Sequence, residues 1–211
     1  MNQIGRLHVL TDTELQSHFS HLELTKMAIK GGADTIQFRQ KNGSTRDLIE
    51  TARKMKSLCE ETGVTFIVND RIDVAIAAEA HGVHLGQNDF PIPLARKMKG
   101  GKFIIGGSAS TLSEALECQE QGCDYIGWGP VFPTDSKADA GPVSGLTLLR
   151  QVSAEMKVPV IAIGGINVEN IKHVIEAGAY GIAVISAVCC QKKPDVATRQ
   201  LHQVIYRREQ G

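Results

Sequence analysis

Eight short apolar runs recur along the chain, separated by longer segments of polar or helical character. The runs are LHVLT (7–11), DTIQFR (34–39), VTFIVND (64–70), GVHLG (82–86), FIIGGS (103–108), DYIGWG (124–129), VPVIAIGG (158–165) and YGIAVIS (180–186). Their lengths suit strands. By contrast STRDLIETARKMKSLCEETG (44–63) carries Leu48, Ile49, Ala52, Met55, Leu58 and Cys59 at helical i, i+3, i+4 spacing. Ser44 and Asp47 mark its start and Gly63 its stop. TLSEALECQEQG (111–122) and NVENIKHVIEAG (167–178) repeat that grammar, each ending in glycine before the next strand. Strict alternation of strand and helix requires a parallel sheet with right-handed crossovers. Eight such units predict a single α/β domain over 1–211. They close it as a (β/α)8 TIM barrel, with the barrel core at about 7–205, near the small end of the usual size range. An open doubly wound sheet is the competing arrangement, but no G-x-G-x-x-G follows the first strand.

Composition narrows the function classes. The 211 residues are 42% hydrophobic, enough to bury a core, and Lys+Arg balance Asp+Glu at 23 each. No net field draws nucleic acid or a membrane surface, so an anion site has to be built locally. No apolar run approaches the roughly 20 residues that span a bilayer. The opening MNQIGRLHVLTD lacks the basic-then-apolar order of a signal peptide, and a cytoplasmic protein is expected. Five cysteines, at 59, 118, 123, 189 and 190, are odd in number and show no C-x-x-C spacing, which suits reduced structural thiols.

The stretch TIQFRQK (35–41) places Gln37, Arg39 and Lys41 on one face of the second strand and Ile36 and Phe38 on the other. In a closed barrel the first set points to the axis and rises to the rim, where barrel active sites are assembled. Polar groups fall at the same end of the other strands: Asn69 and Asp70, Gln87 and Asp89, Ser108, then Thr134, Ser136 and Lys137, Gly165, and Ser186. Arg39, Lys41 and Lys137 are cations, and Asn69, Ser108, Thr134 and Ser136 are neutral hydrogen-bonders suited to phosphate oxygens. Asp70 and Asp89 belong beside phosphate only if a cation lies between. Two carboxylates on adjacent loops are how Mg²⁺ is held, with substrate phosphate and water completing its shell. A diphosphate-plus-Mg²⁺ site is therefore expected at strands 2–4. A monophosphate site is expected at strands 7–8, where Gly164 and Gly165 in AIGGI let the backbone approach closely. Small phosphorylated molecules are the expected partners. The plainer readings are that Asp70 caps a helix beginning near Arg71 and that the two glycines only permit a tight turn. His84, in the middle of GVHLG, reads as a packed strand residue, and no Ser/His/Asp order or HExxH motif points to a hydrolase.

QFRQK, VND, GVHLGQND, YIGWGPVFPTDSK, PVIAIGGI and AVISA occur in register from about residue 7 to 205, and together they resemble the thiamine-phosphate synthase family. The resemblance implies a (β/α)8 barrel that joins 4-amino-5-hydroxymethyl-2-methylpyrimidine diphosphate to 4-methyl-5-(2-phosphoethyl)thiazole, or its carboxylated tautomer. The products would be thiamine monophosphate and diphosphate. It implies that Gln37, Phe38, Arg39, Gln40, Lys41, Asn69, Ser108 and Lys137 hold the pyrimidine diphosphate, with Arg39, Lys41, Ser108 and Lys137 in catalytic roles. Asp70 and Asp89 match the Mg²⁺ ligands, and Thr134, Asp135, Ser136, Gly165, Ile185 and Ser186 the thiazole phosphate pocket. In the family's mechanism diphosphate departs first and the thiazole nitrogen captures the cation left behind. A homodimer is common on this scaffold. Two positions depart from the family pattern: Ser110 stands where His is usual, and Ser136 where Thr is more frequent. A thiazole tautomerase on the same barrel is the competing reading. That branch tends to lack both carboxylates and to rely on a His after strand five, so both differences favour the synthase. A non-catalytic phosphate-ligand sensor would have little need of the carboxylate pair.

Overall fold

The computed structural model describes residues 4–100, 102–136 and 141–206. Its strands are β1 (Leu7–Thr11), β2 (Thr35–Phe38), β3 (Thr65–Asn69), β4 (Gly82–Leu85), β5 (Ile104–Ala109), β6 (Tyr125–Trp128), β7 (Val160–Ile163) and β8 (Gly181–Val184). They pair in parallel in chain order, and β8 closes on β1 through Leu7–Ile182 and Val9–Val184. Helices α1 (His21–Gly31), α2 (Thr45–Thr62), α3 (Ile72–Ala77), α4 (Ile92–Lys99), α5 (Leu112–Glu120), α6 (Gly145–Glu155) and α7 (Ile171–Glu176) are the crossovers. After β8 come a short α8 (Ser186–Cys189) and a closing α9 (Pro194–Tyr206). No described helix is long and apolar enough to cross a membrane. All eight strand expectations are met to within two residues at either end.

The local signals act as the physics requires. Ser44 caps α2 by accepting from the Asp47 amide, and Gly63 ends it in a left-handed conformation that a Cβ would strain. Ser20 with Glu23 and Thr111 with Glu114 form reciprocal capping boxes on α1 and α5. The helix expected over 167–178 begins only at Ile171. Asn167 Oδ1 accepts from the Glu169 and Asn170 amides, while Asn170 Oδ1 accepts from the Asn167 amide at 2.9 Å. These side-chain bonds give the backbone a turn in place of a first helical turn.

Alternation along the strands sorts the core into two layers. Ile36, Phe38, Val83, Leu85 and Ile126 face the helices, whereas Leu10, Ile67, Ile104, Tyr125, Ile161, Ala183 and Ile185 fill the barrel axis. Gly106 and Gly127 occupy axis-facing positions of β5 and β6. A Cβ at Gly106 would overlap the Tyr125 phenol and the His84 ring, and one at Gly127 would lie 2.8 Å from His84 Cε1. Below the axis core, Asp34 Oδ2 accepts from the Leu7 amide at 2.8 Å and from the Tyr206 hydroxyl at 2.8 Å, tying β1 to α9.

Candidate active site

Above the axis core a cavity of about 970 Å³ opens between the C-terminal ends of the strands. Gln37, Arg39, Lys41, Asn69, Asp70, Asp89, Ser108, Thr134, Asp135, Ser136, Gly165, Ile185 and Ser186 all line it. The expected pyrimidine diphosphate, metal and thiazole phosphate groups are thus brought to one mouth. Phe38 and Gln40 are not in its wall. Phe38 is buried in the outer core with its ring edge-on to His21 at 4.8 Å. Gln40 Oε1 bonds His21 Nε2 at 2.5 Å and accepts from the Thr13 hydroxyl at 2.9 Å, and its Nε2 donates to Asn42 O. Lys137 lies outside the described residues.

Arg39 is buried, and its guanidinium forms an ion pair with Asp12 at the end of β1. The other oxygen of Asp12 accepts from the Glu14 amide at 2.8 Å and the Leu15 amide at 3.1 Å. A single carboxylate therefore fixes both the cation and the loop that follows β1, and Asn42 donates to Glu14 Oε1 at 2.6 Å across the same two loops. Sequence reasoning missed Asp12. Its signal was a polar Thr-Asp pair ending strand one, the same pattern as the Asn-Asp ending strand three.

His84 is packed in its strand as expected, but on the axis side, where it also lines the cavity. Its Nε2 lies 2.9 Å from Ser108 Oγ and its Nδ1 3.0 Å from the Tyr125 hydroxyl, with its ring stacked on Tyr125 at 5.4 Å. Burial pushes the Tyr125 phenol far up, so it is a neutral hydroxyl. Ser108 is held a second time where Gln87 Nε2 donates to its carbonyl at 2.6 Å. His8 and Tyr125, not singled out from sequence, form the floor beside His84, with His8 edge-on to Tyr125 at 5.4 Å.

Asp70 does not cap α3. The N-cap is Arg71, with no side-chain capping bond, and Asp70 adopts φ 63 while its amide donates to His84 O at 2.8 Å. A non-glycine residue in that conformation is uncommon, and such strain concentrates at functional sites. Asp89 is positioned by the Gly86 amide, which donates to Oδ2 at 2.6 Å, and a Cβ on Gly86 would come within 2.9 Å of that oxygen. Asn69, Gln87 and Asn88, which carry amide oxygens, line the same cavity as the two carboxylates. Among the described residues no group of three or more His, Cys, Asp or Glu could hold a metal ion alone. A pair of hard oxygen donors with a shell left for substrate and water suits Mg²⁺ rather than zinc.

On the opposite side Gly164 and Gly165 take φ 98 and 63. A Cβ on Gly164 would lie 2.6 Å from Pro130 Cα, and one on Gly165 would lie 2.5 Å from Pro133 O. The loops after β6 and β7 therefore pack backbone to backbone, and the glycines do more than permit a turn. Ser136 Oγ donates to Ser186 Oγ at 3.0 Å, joining the β6 loop to the start of α8. The strand expected to run through residue 186 ends at Val184, because Ser186 opens that short helix. Ser110 also lines the cavity, with its amide and hydroxyl donating to Glu114 Oε2 at 2.7 and 2.9 Å. Burial raises the Glu114 carboxyl, but these bonds and those from Thr111 outweigh it and leave it below the usual range. All five cysteines are free and all but Cys190 are buried; burial pushes the Cys59 thiol up to about 12, so it is inert.

A family model described as thiamine monophosphate synthase matches residues 7–188. The chain is 52% identical over 199 residues to a thiamine-phosphate synthase of Methanocella arvoryzae, covering 94% of each chain. It is 50% identical to the thiamine-phosphate synthase of Salinibacter ruber, covering 96% of this chain and 89% of that one. Among solved structures, the thiamine phosphate pyrophosphorylase from Pyrococcus furiosus superposes with a TM-score of 0.89 at 42% identity, covering 98% of this chain and 97% of the other. Identity at this level, sustained from the first strand to the last helix, places the chain in the thiamine monophosphate synthase family of transferases.

Proposed function

We propose that this protein is a thiamine-phosphate synthase that couples 4-amino-5-hydroxymethyl-2-methylpyrimidine diphosphate to 4-methyl-5-(2-phosphoethyl)thiazole or its carboxylated tautomer. The observation that carries this reading is the convergence on one cavity of Asp70, Asp89, Arg39 and Lys41 from one side and Thr134–Ser136, Gly165 and Ser186 from the other. The C–O bond to the diphosphate breaks with its electron pair on oxygen, and the thiazole nitrogen then donates a lone pair to the exposed methylene carbon; with the carboxylated tautomer the carboxylate also leaves as CO₂, its C–C electron pair returning to the ring. Mg²⁺ held by Asp70 and Asp89 would neutralise charge on the departing diphosphate. Arg39, fixed by Asp12, and Lys41 present cations at the same wall, where preorganised charge acts on the transition state without reorganising. Ser108, oriented by His84 and Gln87, lies deeper and holds the ring. The hydroxyls of Thr134, Ser136 and Ser186 receive the thiazole phosphate, which puts the two rings in line. No nucleophilic side chain is needed.

Incubating the pure protein with both substrates and Mg²⁺ should yield thiamine monophosphate, and chelation should stop it. Asp70→Ala or Asp89→Ala should abolish coupling and leave thiazole phosphate binding intact. Conversion of the thiazole tautomer without coupling would move the assignment to the tautomerase. Cytoplasmic residence and a homodimer belong to the same reading; fractionation and sedimentation check them.

A further inference from the structure

The last register pair between β1 and β2 is Thr11 with Phe38, yet the two cations that β2 supplies, Arg39 and Lys41, lie beyond it. One more backbone bond, from the Arg39 amide to Thr11 O at 3.2 Å, follows the ladder. Past that bond side chains set the direction of the segment. A chain end left to rotate would lose conformational entropy each time it gathered its charges on an anion.

Alternation gives this segment two sides. Arg39 and Lys41 line the cavity, whereas Phe38 and Gln40 take the other face and are not part of its wall. Asp12 holds the inner side through Arg39. The outer side rests on His21, the first residue of α1. Its ring meets Phe38 edge-on at 4.8 Å, and its Nε2 lies 2.5 Å from Gln40 Oε1. His21 is buried, and the Ser20–Glu23 capping box fixes the helix end that carries it.

The polarity of these bonds is determined. Gln40 Nε2 donates to Asn42 O at 2.9 Å, so Oε1 is the atom turned to His21. An amide oxygen only accepts, so His21 Nε2 carries the ring proton and Nδ1 accepts from the Thr11 hydroxyl at 2.8 Å. Burial lowers the proton affinity of this ring by more than the Gln40 bond and the Asp12 charge raise it, so the ring is neutral near pH 7. The Thr13 hydroxyl donates to the same Gln40 oxygen at 2.9 Å. Both lone pairs of that oxygen are thus taken by α1 and the loop after β1.

We propose that His21 is a positioning residue: its imidazole, packed edge-on against Phe38 and bonded to Gln40, fixes residues 38–41 from outside the barrel, so that Arg39 and Lys41 project into the cavity already placed for a diphosphate. This rests on the function proposed above, in which a diphosphate is bound and released there. It goes further in assigning the placement of both cations to a side chain that is not part of the cavity wall.

The test is calorimetric binding of inorganic diphosphate in Mg²⁺, with coupling kinetics alongside. His21→Phe keeps a ring against Phe38 but removes both hydrogen bonds. It should weaken diphosphate binding about tenfold and lower kcat/KM for the pyrimidine diphosphate by about 10- to 100-fold. His21→Asn keeps a polar group only near Nδ1 and should lose nearly as much. His21→Gln restores a donor near Nε2 and should come within about threefold of wild type. KM for the thiazole phosphate should stay unchanged in all three; equal rises for both substrates would mark a purely structural role and overturn the inference. Gln40→Leu should match His21→Phe, and the double variant should lose no more than either alone, because both changes remove the same bond. Additive losses overturn the inference, as does wild-type diphosphate binding by His21→Phe. Circular dichroism and melting accompany each variant; should His21→Phe fail to fold, equal losses in His21→Gln and His21→Asn overturn it instead. If diphosphate binding depends on His21 yet no thiamine monophosphate forms, the functional reading fails and the positioning role stands. If the protein couples its substrates and the variants do so equally well, only the positioning role fails.

Discussion

Arg39 and Asp12 form a buried pair in which each charge depends on the other. Removing one partner leaves the other in a poorly solvated place, at a cost of about 3–5 kcal/mol. Asp12→Ala should therefore lower folding stability by that amount in urea melts, and it should also lower kcat/KM for the pyrimidine diphosphate by at least tenfold. A variant with a wild-type midpoint would show that the pair carries no stability. At this scale the sequence was partly readable. Alternation in TIQFRQK placed Gln37, Arg39 and Lys41 on the cavity wall, and Phe38 in the outer core, as the face argument requires. Applied to GVHLG, the same alternation would have turned His84 inward between the outward Val83 and Leu85; it was read as packing because it sits in the middle of its strand. Gln40 escapes any such rule, because its partners Thr13 and His21 come from the loop after β1 and the start of α1.

Element by element, strands were the most legible feature, since runs buried on both faces need apolar residues throughout and glycines close most crossovers, α3 and α6 ending instead on Ala78 and Met156. Boundaries failed where a side chain outbid the backbone, as at Asn167–Asn170, or where a strand passed directly into a helix, as at Ser186. The paired glycines after β7 could be located from the sequence, but what they touch could not. Gly165 combines φ 63 with a contact that leaves no room for a methyl. Gly165→Ala should destabilise the fold by about 1–3 kcal/mol and weaken thiazole phosphate binding, while Mg²⁺-dependent binding of the pyrimidine diphosphate is retained. Calorimetry with each substrate separates the two, and equal losses for both would count against two independent halves of the mouth.

For the whole molecule, buried imidazoles set the acid limit. His8 takes up a proton near pH 6.5 when unfolded but only near 4 when folded, because burial disfavours its charged form. Between those values the unfolded chain binds more protons, so stability is fully present above about pH 6.5 and falls as pH drops toward 4, by up to about 3 kcal/mol from His8 alone. His21 and His81 are also lowered by burial and add to the same trend. Urea midpoints at pH 7.5 and 4.5 should differ less in His8→Gln than in wild type; an identical difference would remove His8 from the acid limit. The same interior bears on how such a barrel could change over time. Gly106 and Gly127 leave the space that the Tyr125 and His84 rings occupy, and every substitution at either position adds at least one carbon. Variation at these two sites therefore runs one way, toward a shallower floor. A lineage that came to accept a bulkier ring would have to do so by trimming His8, His84 or Tyr125, or by recruiting new loops at the mouth.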